Sequence, residues 1–165
     1  MAHAGDVGGA GTGAPTPGRA FGARGAGRGP QRVTLYADTS ALLKRYVDEA
    51  DSDLAVELLT SDRQLITGRH TVVEVRRNLA RLLEPTAVTD ARAAFAADLT
   101  AVSIVELDAA TCELAATIAE QTGVRTLDAL HLGAASRVGT AISFLTFDVR
   151  QAQAARALGF SVVGA

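Results

Sequence analysis

The 165-residue chain has one cysteine, Cys112, no tryptophan, and only 4 % aromatic residues. A single thiol excludes a disulfide framework and a cysteine-rich zinc module, and it suits a reducing compartment, so a cytoplasmic location is expected. No apolar run approaches the roughly 18–20 residues that cross a bilayer, so no membrane association is expected. Lysine is equally scarce, with Lys44 alone. Sixteen basic against 18 acidic residues leave a formal net charge of −2, which excludes a broadly basic nucleic-acid binder. The length suits about one ordinary domain.

Glycine and proline are unevenly spread. Residues 1–32 hold 10 of the 16 glycines and 3 of the 4 prolines, and carry four arginines against Asp6. Val7 and Phe21 are their only residues of real bulk, too little apolar surface to offset the entropy of ordering. A disordered Gly/Ala/Pro/Arg-rich tail is expected there. The alternative is a mis-assigned start, with translation beginning near Val33. The tail has no 7–15-residue apolar stretch, so it is not expected to be a secretory signal. Removing the tail leaves residues 33–165 with 12 basic and 17 acidic groups, a net −5.

From Val33 the texture changes. Residues 33–37, Val-Thr-Leu-Tyr-Ala, form a β-prone run ending at Asp38, and Leu42, Leu43, Tyr46 and Val47 then recur at helical spacing. Thr39 or Ser40 suits the helix cap. A second helix is expected over 51–60, with Leu54, Ala55, Leu58 and Leu59 on one face, then a short strand over 64–67. A long amphipathic helix over 70–83 stops at Glu84-Pro85. The rest reads as a helix over 87–99, a strand over 102–107, and helices over 108–121 and 126–138 closed by Gly123 and Gly139. A strand over 142–146, a helix to Leu158 and a strand over 161–163 complete it. Such alternation predicts an α/β fold, a three-layer α/β/α sandwich with a central, mainly parallel sheet. Ligands of such folds bind beyond the carboxyl ends of the strands, where Asp38 and Asp148 fall.

Four carboxylates stand out by context: Asp38 and Asp148 after strands, and Glu74 and Asp128 among apolar neighbours on helices. An isolated acid on an apolar helix needs a cation, a capping amide or a metal. Convergent carboxylates suit a hard divalent cation, Mg²⁺ or Mn²⁺, which activates water in phosphodiester hydrolysis. Taken singly, each acid is equally explained as a helix cap, Asp128 and Asp148 above all.

The segments Leu35-Tyr36-Ala37-Asp38-Thr39-Ser40, Thr71-Val72-Val73-Glu74, Leu127-Asp128-Ala129-Leu130-His131 and Leu145-Thr146-Phe147-Asp148 follow one another in a familiar order and spacing. Together they resemble the four acidic motifs of PIN-domain ribonucleases, specifically VapC-type toxins of type II toxin–antitoxin systems. The resemblance covers residues 33–165 as one PIN-like nuclease domain, and the tail of residues 1–32 departs from it. It implies a Mg²⁺- or Mn²⁺-dependent endoribonuclease with the quartet Asp38, Glu74, Asp128 and Asp148, of which Asp38 and Asp128 are the expected direct metal ligands. Thr39, Ser40 and Thr146 would support the site by hydrogen bonding. A water attacking phosphorus in line leaves a 5′-phosphate and a 3′-hydroxyl. The resemblance further implies an RNA substrate, a homodimer and a cognate antitoxin covering the acidic site. The leucine-rich helices over 40–60 offer a candidate groove for it, and core packing explains those leucines equally well.

Beside the quartet, Arg77 and Arg81 are four apart on the helix of Glu74 and are candidates to grip an RNA backbone; a solvated helix face is the plain alternative. With Tyr36, Tyr46 and Phe147 the only aromatics near the motifs, recognition of folded RNA by shape fits better than stacking along a single strand. His131 reads as structural, His70 as flanking its helix, and Cys112 as a small buried residue. Two rival readings stand. An aspartyl-phosphate phosphatase or phosphotransferase would use Asp38 as nucleophile, but it wants a second aspartate where Ser40 stands and a lysine late in the chain. A non-catalytic PIN-like binding module would have no reason to keep all four acids.

Overall fold

The computed structural model describes residue 21, residues 33–61 and residues 63–165. The expectation of a disordered tail therefore falls outside the described residues, apart from Phe21. That side chain is buried in the core, with its ring under the Arg45 guanidinium at 4.5 Å.

Five strands, β1 (Thr34–Ala37), β2 (Gln64–Gly68), β3 (Ser103–Val105), β4 (Ser143–Thr146) and β5 (Ser161–Gly164), form one sheet in the order β3-β2-β1-β4-β5. Every pairing is parallel, with Tyr36 opposite Ile66 on one side and Phe144 on the other. The chain leaves β1 toward β2 and returns on the opposite flank at β4. The crevice between the carboxyl ends of β1 and β4 is therefore the switch point where such sheets bind ligands.

Seven helices cover the sheet: α1 (Thr39–Leu43), α2 (Ser52–Leu59), α3 (Thr71–Leu82), α4 (Pro85–Leu99), α5 (Ala109–Thr122), α6 (Thr126–Val138) and α7 (Val149–Ala157). Alternate strand residues feed two apolar layers. Leu35, Ala37, Leu65 and Leu145 meet Leu42, Leu59, Val75, Leu79 and Phe95 from α1 to α4. Tyr36, Ile66 and Phe144 meet Ile118, Leu132, Ala135 and Ala155 from α5 to α7. Two layers of helix around a parallel sheet is the expected sandwich.

Several local readings change. Asp38, not Thr39 or Ser40, caps α1, accepting from the Ala41 amide. The first helix ends at Leu43 rather than running on to Val47; the chain turns through Lys44–Tyr46, which still buries Tyr46. Leu54 is exposed, because α2 presents only Ala55 and Leu59 fully to the core. Pro85 stops α3 and also opens α4 as its first residue, where a missing N–H costs nothing. Cys112 is exposed rather than buried, since α5 turns Thr111, Ala115 and Ile118 inward. No helix among the described residues is long and apolar enough to cross a membrane.

Helices α5 and α6 touch most closely at Gly133. A Cβ there would lie 2.9 Å from the Ala115 Cβ and 3.1 Å from its Cα, closer than packed carbon atoms tolerate. Gly133→Ala therefore costs about 1–3 kcal/mol through overpacking, despite its better helix propensity. Thermal unfolding reads this as a lower Tm, and adding Ala115→Gly recovers part of the loss.

Candidate active site

The carboxyl ends of β1 and β4 are locked together before any chemistry is considered. The Asp38 amide donates to the Leu145 carbonyl at 3.1 Å, and the Thr67 hydroxyl donates to the Ala37 carbonyl at 2.7 Å. Asp38, 2 % exposed, therefore points into the crevice from a fixed backbone. Its Oδ1 accepts from the Ala41 amide at 2.9 Å and the Ser40 hydroxyl at 2.7 Å, and its Oδ2 accepts from the Thr146 hydroxyl at 2.6 Å. Ser40 is held in turn by the Phe147 amide, which donates to its Oγ at 2.9 Å. Burial raises the Asp38 carboxyl above the usual aspartate range, against the pull of His131 and these three donors.

Glu74, in the first turn of α3, faces Asp38's neighbours. Its Oε2 accepts from the Thr39 hydroxyl at 2.7 Å and sits 2.9 Å from His131 Nε2. The other His131 nitrogen, Nδ1, lies 3.1 Å from the Tyr36 hydroxyl. Burial works to raise the Glu74 carboxyl, yet the bonds from His131 and Thr39 outweigh it and hold it below the usual range. The His70 ring packs against His131, 4.0 Å between centroids and tilted by 55°. Burial and then the facing His131 push its imidazole down to about 4, against the pull of Glu74.

Asp128 and Asp148 close the far side. Asp148 caps α7, its Oδ1 accepting from the Arg150 and Gln151 amides. Asp128 accepts from no backbone amide, so the cap reading fails for it and holds for Asp148 and Asp38. One guanidinium joins the pair: Arg125 Nε donates to Asp128 Oδ2 at 2.9 Å, and its NH2 nitrogen donates to Asp148 Oδ2 at 3.0 Å. Arg125 is 69 % exposed, so this bridge is a weak, screened one.

All four sequence-predicted acids, with Thr39 and Ser40, line a single pocket of about 380 Å³; Thr146 stands behind Asp38. Lys44, Glu49, Asn78, Arg125, His131 and Phe147 also border it. Five carboxylates against two full-time cations make it a cation-seeking cavity. The donors are mostly oxygen, which fits a hard divalent ion. Arg77 and Arg81 do not border the pocket; both are exposed, and Arg81 reaches only as far as Asn78, donating to its Oδ1 at 3.0 Å. Tyr36 and Tyr46 are buried, leaving Phe147 the pocket's one aromatic wall. Sequence reasoning missed Arg125 and underrated His131. The spacing of Arg125 and Asp128, three apart on one helical face, was the available signal for the first.

The family model described as PIN domain matches residues 35–157. The chain belongs to the PIN-domain family. Among curated relatives of this PIN domain is Ribonuclease VapC46 of Mycobacterium tuberculosis, 32 % identical over 132 residues, covering 79 % of this chain and 97 % of that one. Ribonuclease VapC35 of the same organism is 32 % identical over 134 residues, covering 78 % and 95 %. The FitAcB crystal structure from Neisseria gonorrhoeae superposes with a TM-score of 0.65 at 18 % identity, covering 79 % of this chain and 97 % of that one. That of VapC20 from Mycobacterium tuberculosis, a sarcin-ricin loop cleaving toxin, gives 0.58 at 22 %, covering 77 % and 96 %. These neighbours bear out the PIN-like α/β sandwich, and the relatives make this a VapC-type PIN domain.

Because its carboxyl is raised on folding, Asp38 in the metal-free PIN domain binds a proton more tightly folded than unfolded. Its contribution is then fully favourable below the unfolded pKa and is lost as pH rises through the folded one. Asp38→Asn should accordingly raise Tm at pH 7 in EDTA, with the gain shrinking toward pH 4. Thermal scans across that range check it, and an Asp38→Asn protein less stable at pH 7 contradicts it.

Proposed function

We propose that this PIN domain is the toxin of a toxin–antitoxin pair, an endoribonuclease that uses Mg²⁺ or Mn²⁺ and the quartet Asp38, Glu74, Asp128 and Asp148. The observation that carries the proposal is the convergence of these four acids on one pocket, with a buried aspartate at its floor. Its relatives' names as ribonucleases support the substrate class. The structural neighbours include toxin–antitoxin complexes, which supports a cognate antitoxin as partner.

Asp38 and Asp128 are the proposed direct ligands. Asp38 has three of its four acceptor sites pinned by donors, so the one left, on Oδ2, is aimed without further ordering. A bound divalent cation supplies a polarised water and neutralises charge that develops on the phosphate, worth several kcal/mol. Glu74, fixed by Thr39 and His131, would hold the ion through a bridging water and orient that water in the pocket. Arg125, on an exposed side chain at the mouth, is placed to leave Asp128 and Asp148 for an entering cation and to meet a phosphate. Arg77 and Arg81, outside the pocket, are left with contacts to more distant stretches of a folded RNA. Attack on phosphorus in line expels the 3′-oxygen, giving 5′-phosphate and 3′-hydroxyl ends.

Purified protein and its Asp38→Ala variant are incubated with total RNA in Mg²⁺ or EDTA, and the product ends are labelled. The expected result is cleavage by the wild type in Mg²⁺ only, at least about 1,000-fold faster than by the variant. Cleavage that survives EDTA, or products with 2′,3′-cyclic phosphate ends, contradicts the proposal. Arg125→Ala removes the competing cation from Asp128 and Asp148. It should lower the Mg²⁺ concentration for half-maximal cleavage several-fold, and an unchanged or higher requirement counts against that role.

A further inference from the structure

Around Glu74 lies a second group of ligand atoms that the acidic quartet does not explain. One atom each from His70, Glu74 and His131 lie within 4.8 Å of one another. Glu74 Oε2 is 2.9 Å from His131 Nε2 and 3.9 Å from His70 Nε2. His70 is 93 % buried, from its 7 % exposure, yet among the described residues neither of its ring nitrogens has a hydrogen-bond partner. An unpaired polar group so deeply buried is destabilising, and that calls for a ligand. The fold makes room for this ring: a Cβ on Gly68 would sit 2.5 Å from His70 Cε1 and 2.8 Å from its Nδ1. With Nδ1 against Gly68, Nε2 is the nitrogen turned toward Glu74.

We propose that His70, Glu74 and His131 form a second metal site, selective for a borderline transition-metal dication of the Zn²⁺ type rather than for Mg²⁺. Two imidazoles and one carboxylate are the donors such ions choose, whereas Mg²⁺ prefers oxygen and water. Glu74 and His131 both line the pocket, which gives the ion its way in and leaves a fourth position for water. His131 now directs Nε2–H at the Glu74 carboxylate, with Nδ1 accepting from Tyr36. On binding, the Nε2 proton leaves to solvent and one from solvent takes Nδ1, which then donates to the Tyr36 oxygen, whose own proton turns to the neighbouring Thr67 hydroxyl. That second contact to Tyr36 is the outer-shell bond that ligating histidines characteristically make.

Glu74 cannot serve both sites at once. Occupancy of the histidine site therefore withdraws it from the acidic quartet and slows cleavage, a consequence that rests on the ribonuclease reading, whereas metal binding does not.

The full chain has three histidines, His3, His70 and His131, so their ring signals separate readily by NMR. Metal-free protein is titrated with Zn²⁺ in excess Mg²⁺. The His70 and His131 ring signals should move together and saturate at one equivalent. Movement of His3 alone, or no movement of the pair, overturns the site. His70→Phe keeps a buried ring without ligand atoms. In competition with a chromophoric chelator its Zn²⁺ affinity should fall more than the roughly 10–100-fold that follows loss of an outer-shell partner. Unchanged affinity overturns the site, and if that variant does not fold, the wild-type titration decides alone. One equivalent of Zn²⁺ should slow Mg²⁺-dependent cleavage at least tenfold in the wild type and not in His70→Phe. Equal inhibition of both overturns the shared use of Glu74. Absence of cleavage in Mg²⁺ alone counts against the ribonuclease reading and leaves the binding result standing.

Discussion

The molecule is organised around a carboxylate buried where water would serve it better. Asp38 ends the central strand with 2 % of its surface exposed, and three donors, from Ala41, Ser40 and Thr146, hold its two oxygens. Those donors come from the helix that Asp38 caps and from the neighbouring strand, so a single side chain ties α1, β1 and β4 together. Truncating the side chain, as in Asp38→Ala, removes both acceptor oxygens and strands these donors, at a cost of about 1–3 kcal/mol for each unsatisfied group. The same arrangement leaves the carboxyl with a raised pKa and a standing preference for a positive neighbour. Structure and chemistry therefore lean on one group, and stability is given up locally where function needs charge.

The other acids are handled differently. Glu74 is held below the usual range by His131 and Thr39, while Asp128 and Asp148 share an exposed arginine. One wall of the pocket is thus rigid and satisfied from within the fold. The opposite wall is neutralised by a side chain that can swing away. This asymmetry suits a site whose cation and phosphate enter from the Arg125 side. It also explains how helix caps and pocket-lining acids coincide in Asp38 and Asp148: the amides satisfy one side of each carboxylate while the residue still borders the cavity.

Much of this was legible in the sequence, and the limits follow from physics. Short β-prone runs alternating with helical periodicity gave the parallel sandwich, and the position of Asp38 and Asp148 after strands placed both at the sheet's functional edge. Periodicity failed where helices are rich in alanine. On α5 an inward stripe of Thr111, Ala115 and Ile118 leaves Cys112 outside, and no apolar contrast marks which side is which. Likewise α1 is only five residues long, and Tyr46 is buried from a turn rather than a helix. His131 was harder still. Its partners Glu74 and Tyr36 lie 57 and 95 residues away, and only the closing of the sheet brings them within hydrogen-bonding range. Arg77 and Arg81 share the face that helical spacing gives them, but spacing alone does not say whether that face borders the pocket, and it does not.

The central claim is that the four acids make one cation site at the β1–β4 switch point. Its most direct test is crystallographic: crystals of the protein soaked in Mn²⁺, with anomalous difference maps used to locate the ion. The account predicts a peak about 2.0–2.2 Å from carboxylate oxygens of both Asp38 and Asp128, with Arg125 displaced from Asp128. An ordered Mn²⁺ elsewhere on the protein, with Arg125 still bridging Asp128 and Asp148, would contradict it.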